Sequence, residues 1–201
     1  MQLSEIRRKA AEELSVQITA HLAELNFLDV RFAIHLERLE NYTANGFDEA
    51  EYMIAVNVGE TLKPLAKVAS GGELSRVMLA LKTVLADRDE VESIIFDEID
   101  TGISGRTAQK VSEKMALIGK SRQVICITHL PQIASMADAH YLIEKNVCGH
   151  TTVTGIRRLK KEETIQELAR MLGGVEITDA VLENAREMKL QAKGLKTRNC
   201  Q

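Results

Sequence analysis

Apolar residues recur every three or four positions through Leu3, Ile6, Ala10, Leu14, Ile18, Leu22 and Leu25, which predicts one amphipathic helix over nearly all of the first stretch. Residues 31–37 and 51–58 alternate well enough to predict two strands, separated by a turn-rich 41–48. Leu74, Val77, Met78, Leu81, Val84 and Leu85 then fall at the spacing of one buried helix face, with Lys82 on the other side. Two short runs of β-forming residues, 93–96 and 123–128, read as buried parallel strands. Between them, residues 107–118 predict a helix with Val111, Met115 and Ile118 on one face. A short helix over 131–136 and a strand over 141–144 follow, with a return from Thr151 through Ile156 and Leu159 that runs antiparallel to it. Two last helices, around 165–172 and 179–192, are separated by Gly173-Gly174, a natural helix stop. This order predicts an α/β fold, a mostly parallel sheet flanked by helices.

Composition narrows the picture. With 201 residues, 45% hydrophobic and 27% charged, the chain can build one sizeable core and an appendage. A formal net charge of −3 gives no general attraction to polyanions, so any contact with DNA needs a local patch or another part of a larger protein. Aromatics are 3% of residues and Trp is absent, which argues against base stacking as the main binding device. Cys126, Cys148 and Cys200 lack paired metal-ligand spacing, and Cys126 reads as a buried, inert strand thiol. No signal peptide or membrane-length apolar run is evident, so the cytoplasm is the expected compartment.

Candidate chemistry begins at Ser70-Gly71-Gly72-Glu73, a polar turn that opens the helix repeat at Leu74. At a helix N-terminus the first N–H groups lack partners, and two glycines admit a close anion. Ser70 with Glu73 also reads as a plain capping box. The run ending at Phe96 delivers Asp97 and Glu98, with Asp100 next and then Thr101-Gly102-Ile103-Ser104-Gly105. The second run ends in His129-Leu130-Pro131-Gln132, so two strands are expected to present Asp97, Glu98 and His129 along one rim. Taken singly, the acids could cap the following turn and the histidine could be a loop residue. Their order alongside the glycine turn favours one shared site.

This ordered set resembles the C-terminal half of an ABC-type ATPase head. The turn at Ser70 looks like the signature, 94–98 like a Walker B strand with its glutamate, Thr101 to Ser104 like the D-loop, and His129 like the switch histidine. The wording of 62–76, 96–105 and 127–132 is similar to the RecN family of SMC-like bacterial DNA double-strand-break repair proteins. Weaker similarity reaches from residue 2 to residue 174. The resemblance implies three parts: the end of a coiled-coil arm at 1–28, the C-terminal head lobe at 29–192, and a flexible tail at 193–201. It further implies ATP and Mg2+ as cofactors. Ser70, Gly71, Gly72 and Glu73 would then bind nucleotide, Asp97 would hold the metal through water, and Glu98 and His129 would be catalytic. Expected partners are an N-terminal segment bearing Walker A, a second head in a homodimer, and DNA through the complete protein. A nucleoid-associated location in a bacterial cytoplasm follows from the same likeness.

Two features depart from a complete head. No G-x-x-x-x-G-K-[ST] loop lies between a strand and a helix. The nearest stretch, 114–121, ends in Gly-Lys-Ser but starts at Lys114 and follows a helix, so it reads as a helix end and turn. A Walker A loop is expected in a segment preceding this chain, and the chain alone is expected to be inactive. ABC D-loops usually end in aspartate, and Ser104 stands there, as in RecN-type sequences. Thr101 to Gly105 also reads as the turn before a helix.

Two lesser constellations remain. His140, Cys148 and His150 match no standard zinc spacing. Arg157-Arg158-Leu159-Lys160-Lys161 could meet DNA phosphates, but Glu162 and Glu163 follow at once and favour a solvated mixed-charge face. Two other functions fit the same motifs: a non-hydrolysing interaction module, and a head fragment of another SMC-like chromosome-organising ATPase.

Overall fold

The computed structural model describes residues 2–27, 29–68, 70–86, 90–148, 151–174 and 176–198. They group into two compact units, Met1–Ile103 with Ile118–Ile127, and Ser104–Leu117 with Thr128–Gln201.

The first unit opens with helix α1 (Gln2–Glu24). Its buried stripe begins at Ala11 and runs through Ile18 and Leu22, continued by Leu25. Leu3 and Ile6, placed on the same predicted stripe, are exposed. Strands β1 (Arg31–Thr43) and β2 (Gly46–Ala55) form a long antiparallel hairpin, and the two-residue β3 (Lys63–Pro64) joins the free side of β2. The predicted turn at 41–48 is thus largely strand. Pairing continues to Thr43↔Gly46, where Gly46 takes φ 96° and Tyr42 stacks on Phe47 at 3.6 Å. The hairpin end is tied to α1: Asp48 accepts from Ser4 Oγ at 3.0 Å and Arg7 Nη1 at 2.9 Å.

Helix α2 (Gly71–Val84) follows, and β4 (Ser93–Phe96) pairs in parallel with β5 (Gln123–Cys126), Phe96 opposite Cys126. The buried face of α2 keeps the predicted Val77 and Leu81 but is turned away from the rest of the predicted stripe. Arg76, Val77, Leu79, Ala80 and Leu81 are covered, whereas Leu74 and Met78 stay exposed. The strands also differ from a sheet buried on both sides. Ile94 and Phe96 point inward, but Ile95 is 66% exposed and Ile125 45%. A parallel pair normally has both faces covered, so one layer's worth of apolar surface is bare.

In the second unit, α3 (Gly105–Ile118) buries Ala108, Val111 and Met115. Its last residue is followed by a turn in which Ser121 N–H donates to Ile118 O, as expected for 114–121. Helix α4 (Pro131–Ser135) precedes the antiparallel hairpin of β6 (Tyr141–Cys148) and β7 (Thr151–Arg158). Helices α5 (Lys161–Gly173) and α6 (Asp179–Arg198) complete it. Ala134, Leu168, Ala169 and Ala185 form the core that joins α4, α5 and α6. Gly174 at φ 72° ends α5, its N–H donating to Arg170 O. The frayed tail predicted from Lys193 is helical through Arg198, because Ala192 is buried and Lys196 pairs with Asp138 at 2.6 Å. The α/β class holds, although parallel pairing among the described residues is confined to β4 and β5.

The hydrogen bond from Ser4, and after it that from Arg7, holds the Asp48 carboxyl below its ordinary value. A depressed carboxylate stabilises the fold above its unfolded pKa, and that contribution disappears as pH falls through the folded value. Thermal melts of the wild type and Asp48→Asn should therefore differ at neutral pH, and the difference should shrink as pH falls below the ordinary carboxylate value and through the lowered folded one.

Candidate functional site

Ser70 stands just before α2 in extended conformation, and its Oγ accepts from Glu73 N–H at 3.4 Å. Leu74 N–H donates to Ser70 O, which starts the helix. Ser70 is therefore an N-cap in fact, and its hydroxyl hydrogen is left to point elsewhere. Ala69 lies outside the described residues.

The turn after β4 packs directly on this helix start. Glu98 N–H donates to Asp97 Oδ1 at 2.9 Å, and Thr101 N–H donates to Glu98 O at 3.0 Å. Glu98 itself sits in the left-handed region at φ 56°, which costs a side-chain-bearing residue on the order of 1–2 kcal/mol. Ser75 Oγ donates to Asp97 O at 2.8 Å, and Arg76 Nη1 donates to Thr101 O at 2.9 Å. A Cβ on Gly72 would lie 2.9 Å from Thr101 Cβ and 3.0 Å from the carbonyl oxygens of Glu98 and Thr101. A Cβ on Gly71 would run into the Glu98 carboxylate. Gly72 is thus required by backbone contact within the chain, whereas at Gly71 only the flexible end of the Glu98 side chain would have to move.

Asp97, Glu98 and Thr101 are exposed, whereas Asp100 is buried. The exposed carboxylates form a hard oxygen donor set of the kind magnesium takes, and one of them lies against a helix N-terminus. These residues fit one side of a magnesium and phosphate site, but the lysine-bearing loop of such a site is not in the sequence.

The predicted constellation is brought together in part. Ser70, Gly71, Gly72, Glu73, Asp97, Glu98, Thr101, Gly102 and Ile103 share the first unit. Ser104 and His129 fall in the second, so the rim predicted for Asp97, Glu98 and His129 is described only as far as Ile127, whose N–H donates to Phe96 O. Ser104 precedes α3, its carbonyl accepting from Thr107 and Ala108, as the turn-and-cap reading expects. The sequence reading missed Ser75 and Arg76 as fasteners. Arg76 is 8% exposed and its guanidinium lies over the Phe27 ring at 5.3 Å, while burial lowers its pKa. The apolar periodicity gave no signal for Arg76, which lies across the helix from the stripe of Leu74, Met78 and Leu81.

Burial pushes the Cys126 thiol up to about 12, with Asp100 and Asp97 adding to it. His140 lines a cleft of the second unit, while His150, Cys200 and the Cys148 side chain lie outside the described residues. Among the described residues no group of three or more His, Cys, Asp or Glu side chains is gathered as a self-contained metal site, and no helix is long and apolar enough to cross a membrane.

The chain is similar to known proteins at both sequence and fold level. It is 46% identical over 198 residues to DNA repair protein RecN of Halalkalibacterium halodurans and 42% identical over 210 residues to RecN of Bacillus subtilis. Those matches take in 96% and 97% of the chain but 35% and 36% of the relatives, so the chain spans about a third of their length. No protein-family model matches. Among solved structures, the Smc head domain with a coiled coil and joint from Pyrococcus yayanosii aligns at TM-score 0.55 and 20% identity, over 78% of this chain and 28% of that one. An SmcHead bound to the C-winged helix domain of ScpA aligns at TM-score 0.51 and 21% identity, over 79% and 45%. The fold is that of an SMC ATPase head lobe.

Two outcomes follow from the local geometry. Gly72→Ala should lower stability by about 1–3 kcal/mol, since backbone rather than a flexible side chain must yield; a melt unchanged from wild type would contradict the packing. Cys126 should resist iodoacetamide at pH 8 in the folded chain, where only about 1 in 10⁴ thiols is ionised, and react after denaturation, as read by peptide mass mapping.

Proposed function

We propose that this chain, RecN-like along nearly its whole length, is the C-terminal portion of an SMC-like ATPase head that serves DNA double-strand-break repair. The observation that carries the proposal is the seating of the Ser70 turn on the Asp97–Thr101 turn. Two motifs far apart in sequence become one surface of exposed carboxylates and helix-terminal amides. The bare face at Ile95, Ile125 and Ile127 supports the same reading, since it calls for another segment to complete the sheet.

In this reading Asp97 would hold magnesium, and the Glu98 N–H bond to Oδ1 fixes the carboxylate's orientation. Bound magnesium would neutralise charge on the ATP phosphates. Glu98 accepts a proton from the attacking water, and its left-handed backbone sets the direction from which the carboxylate reaches it. His129 donates a hydrogen bond to the terminal phosphate or to the water. Ser70 and the Gly71 and Gly72 amides serve phosphate held by a second head, with Glu73 in the same first turn and Thr101 to Ser104 forming the D-loop beside it. Walker A comes from an N-terminal segment.

The chain alone should show no ATPase activity above background. Magnesium-dependent turnover abolished by Glu98→Gln in the isolated chain would refute this. Joined to a Walker A-bearing N-terminal RecN segment, it should hydrolyse ATP, and Glu98→Gln should cut the rate by about 10²–10⁴-fold with nucleotide binding kept. Ser70→Arg in complete heads should block ATP-dependent dimerisation and leave each head's binding intact. Mixing Ser70→Arg with a Walker A-defective head puts both lesions in one composite site and none in the other. Hydrolysis should then recover; failure to recover in heterodimers shown to form would refute sharing across subunits. Nucleotide-dependent association of chain and segment with no hydrolysis under any condition would favour a non-hydrolysing interaction module.

A further inference from the structure

The second unit contains a cleft of about 930 Å³ between α6, the α4–β6 turn and the junction of β7 with α5. Four cations line it from α6: Arg186, Lys189, Lys193 and Lys196. Their spacing of three, four and three residues puts them on one helix face over about 15 Å, roughly four nucleotide rises. Arg158, Lys160 and Lys161 line the opposite wall. Among the described residues Asp138 is the one acidic residue in the lining, and Lys196 pairs with it at 2.6 Å.

Several of these charges are already engaged. Lys189 Nζ donates to Ser135 O at 2.8 Å and Ala137 O at 2.7 Å, which fastens α6 to the end of α4. Arg186 pairs with Glu183 at 3.1 Å. The Lys160 N–H donates to the Glu163 carboxylate, which also takes the Arg157 guanidinium. The mixed-charge neutralisation expected for 157–163 therefore happens on Arg157, outside the cleft. Arg158, Lys161 and Lys193 have no ion pair among the described residues, and they face one another across a common space.

We infer that this cleft binds the phosphate backbone of duplex DNA without reading sequence. Lysine ammonium groups are compact point charges on flexible stems, suited to a run of similar phosphates rather than to one fixed ligand. Met136, Leu159 and Ala192 give the cleft an apolar floor along which those stems lie. No Phe, Tyr or Trp lines it, so it offers no platform for unstacked bases, which favours a duplex over a single strand. The choice of DNA among polyanions rests on the repair reading above, whereas the charge arrangement does not.

The test is fluorescence anisotropy of a labelled random-sequence duplex with the 201-residue chain, from 25 to about 200 mM salt. The wild type should bind weakly at low salt. Lys161→Gln with Lys193→Gln should weaken binding about tenfold and reduce the slope of log affinity against log salt by about 2. Arg8→Gln with Lys9→Gln on α1 removes the same charge elsewhere and should change neither. Absence of duplex binding by the wild type, or equal losses in both double variants, would overturn the assignment. So would polyglutamate competing better than duplex at equal charge concentration, which would make an acidic protein segment the occupant. ATP hydrolysis by the completed head without any of these DNA effects would remove the cleft and leave the ATPase reading standing.

Discussion

The close approach of two backbones at Gly72 is the constraint on which the candidate site depends. Helix α2 can start there only because no Cβ intervenes between its first turn and the carbonyl oxygens of Glu98 and Thr101. Ser75 and Arg76, one turn further, then reach Asp97 O and Thr101 O. A larger residue at 72 would push the turn away and lengthen both bonds. Gly72 thus places the acids, and the strained backbone of Glu98 is held by the same contacts.

The distribution of bare apolar surface follows a consistent logic. Leu3 and Ile6 on α1, Leu74 and Met78 on α2, and Ile95, Ile125 and Ile127 beside the β4–β5 pair are all exposed. Each such side chain, already partly covered, would gain on the order of 1 kcal/mol if fully covered. A two-stranded parallel pair with one open face is weak by itself and gains from added strands and a second layer. That a RecN-length relative is nearly three times as long as the matched region accords with this need.

Electrostatics separates the units' surfaces in a way that net charge hides. The chain is slightly acidic overall at −3. Glu144 and Glu163 nevertheless spend themselves on Arg157, and the neighbouring cations face α6 instead. The reason is the strand alternation at the end of β7, where Arg157 and Arg158 leave the chain on opposite sides.

The amino-acid sequence by itself determined the order of elements, the helix opened by Ser70, the strand ending at Phe96 and the helix end at Ile118, whereas the strand expected over 123–128 stops at Cys126. These are local matters of periodicity, capping and turn chemistry. The tertiary structure alone decided the rest. Which face of α2 is buried depends on the helix and turn packed against it, so Arg76 lies inside and Leu74 outside despite the apolar pattern. The length of the β1–β2 hairpin depends on cross-strand pairing and on Asp48 meeting Arg7, 41 residues away, which overrides the turn propensity of 41–48. The helix over 193–198 goes with tertiary contacts that periodicity does not show, the burial of Ala192 and the pair of Lys196 with Asp138. The basic cleft joins residues about 30 positions apart that no periodicity links, and only the packing of α4, α5 and α6 on a shared alanine and leucine core brings them face to face.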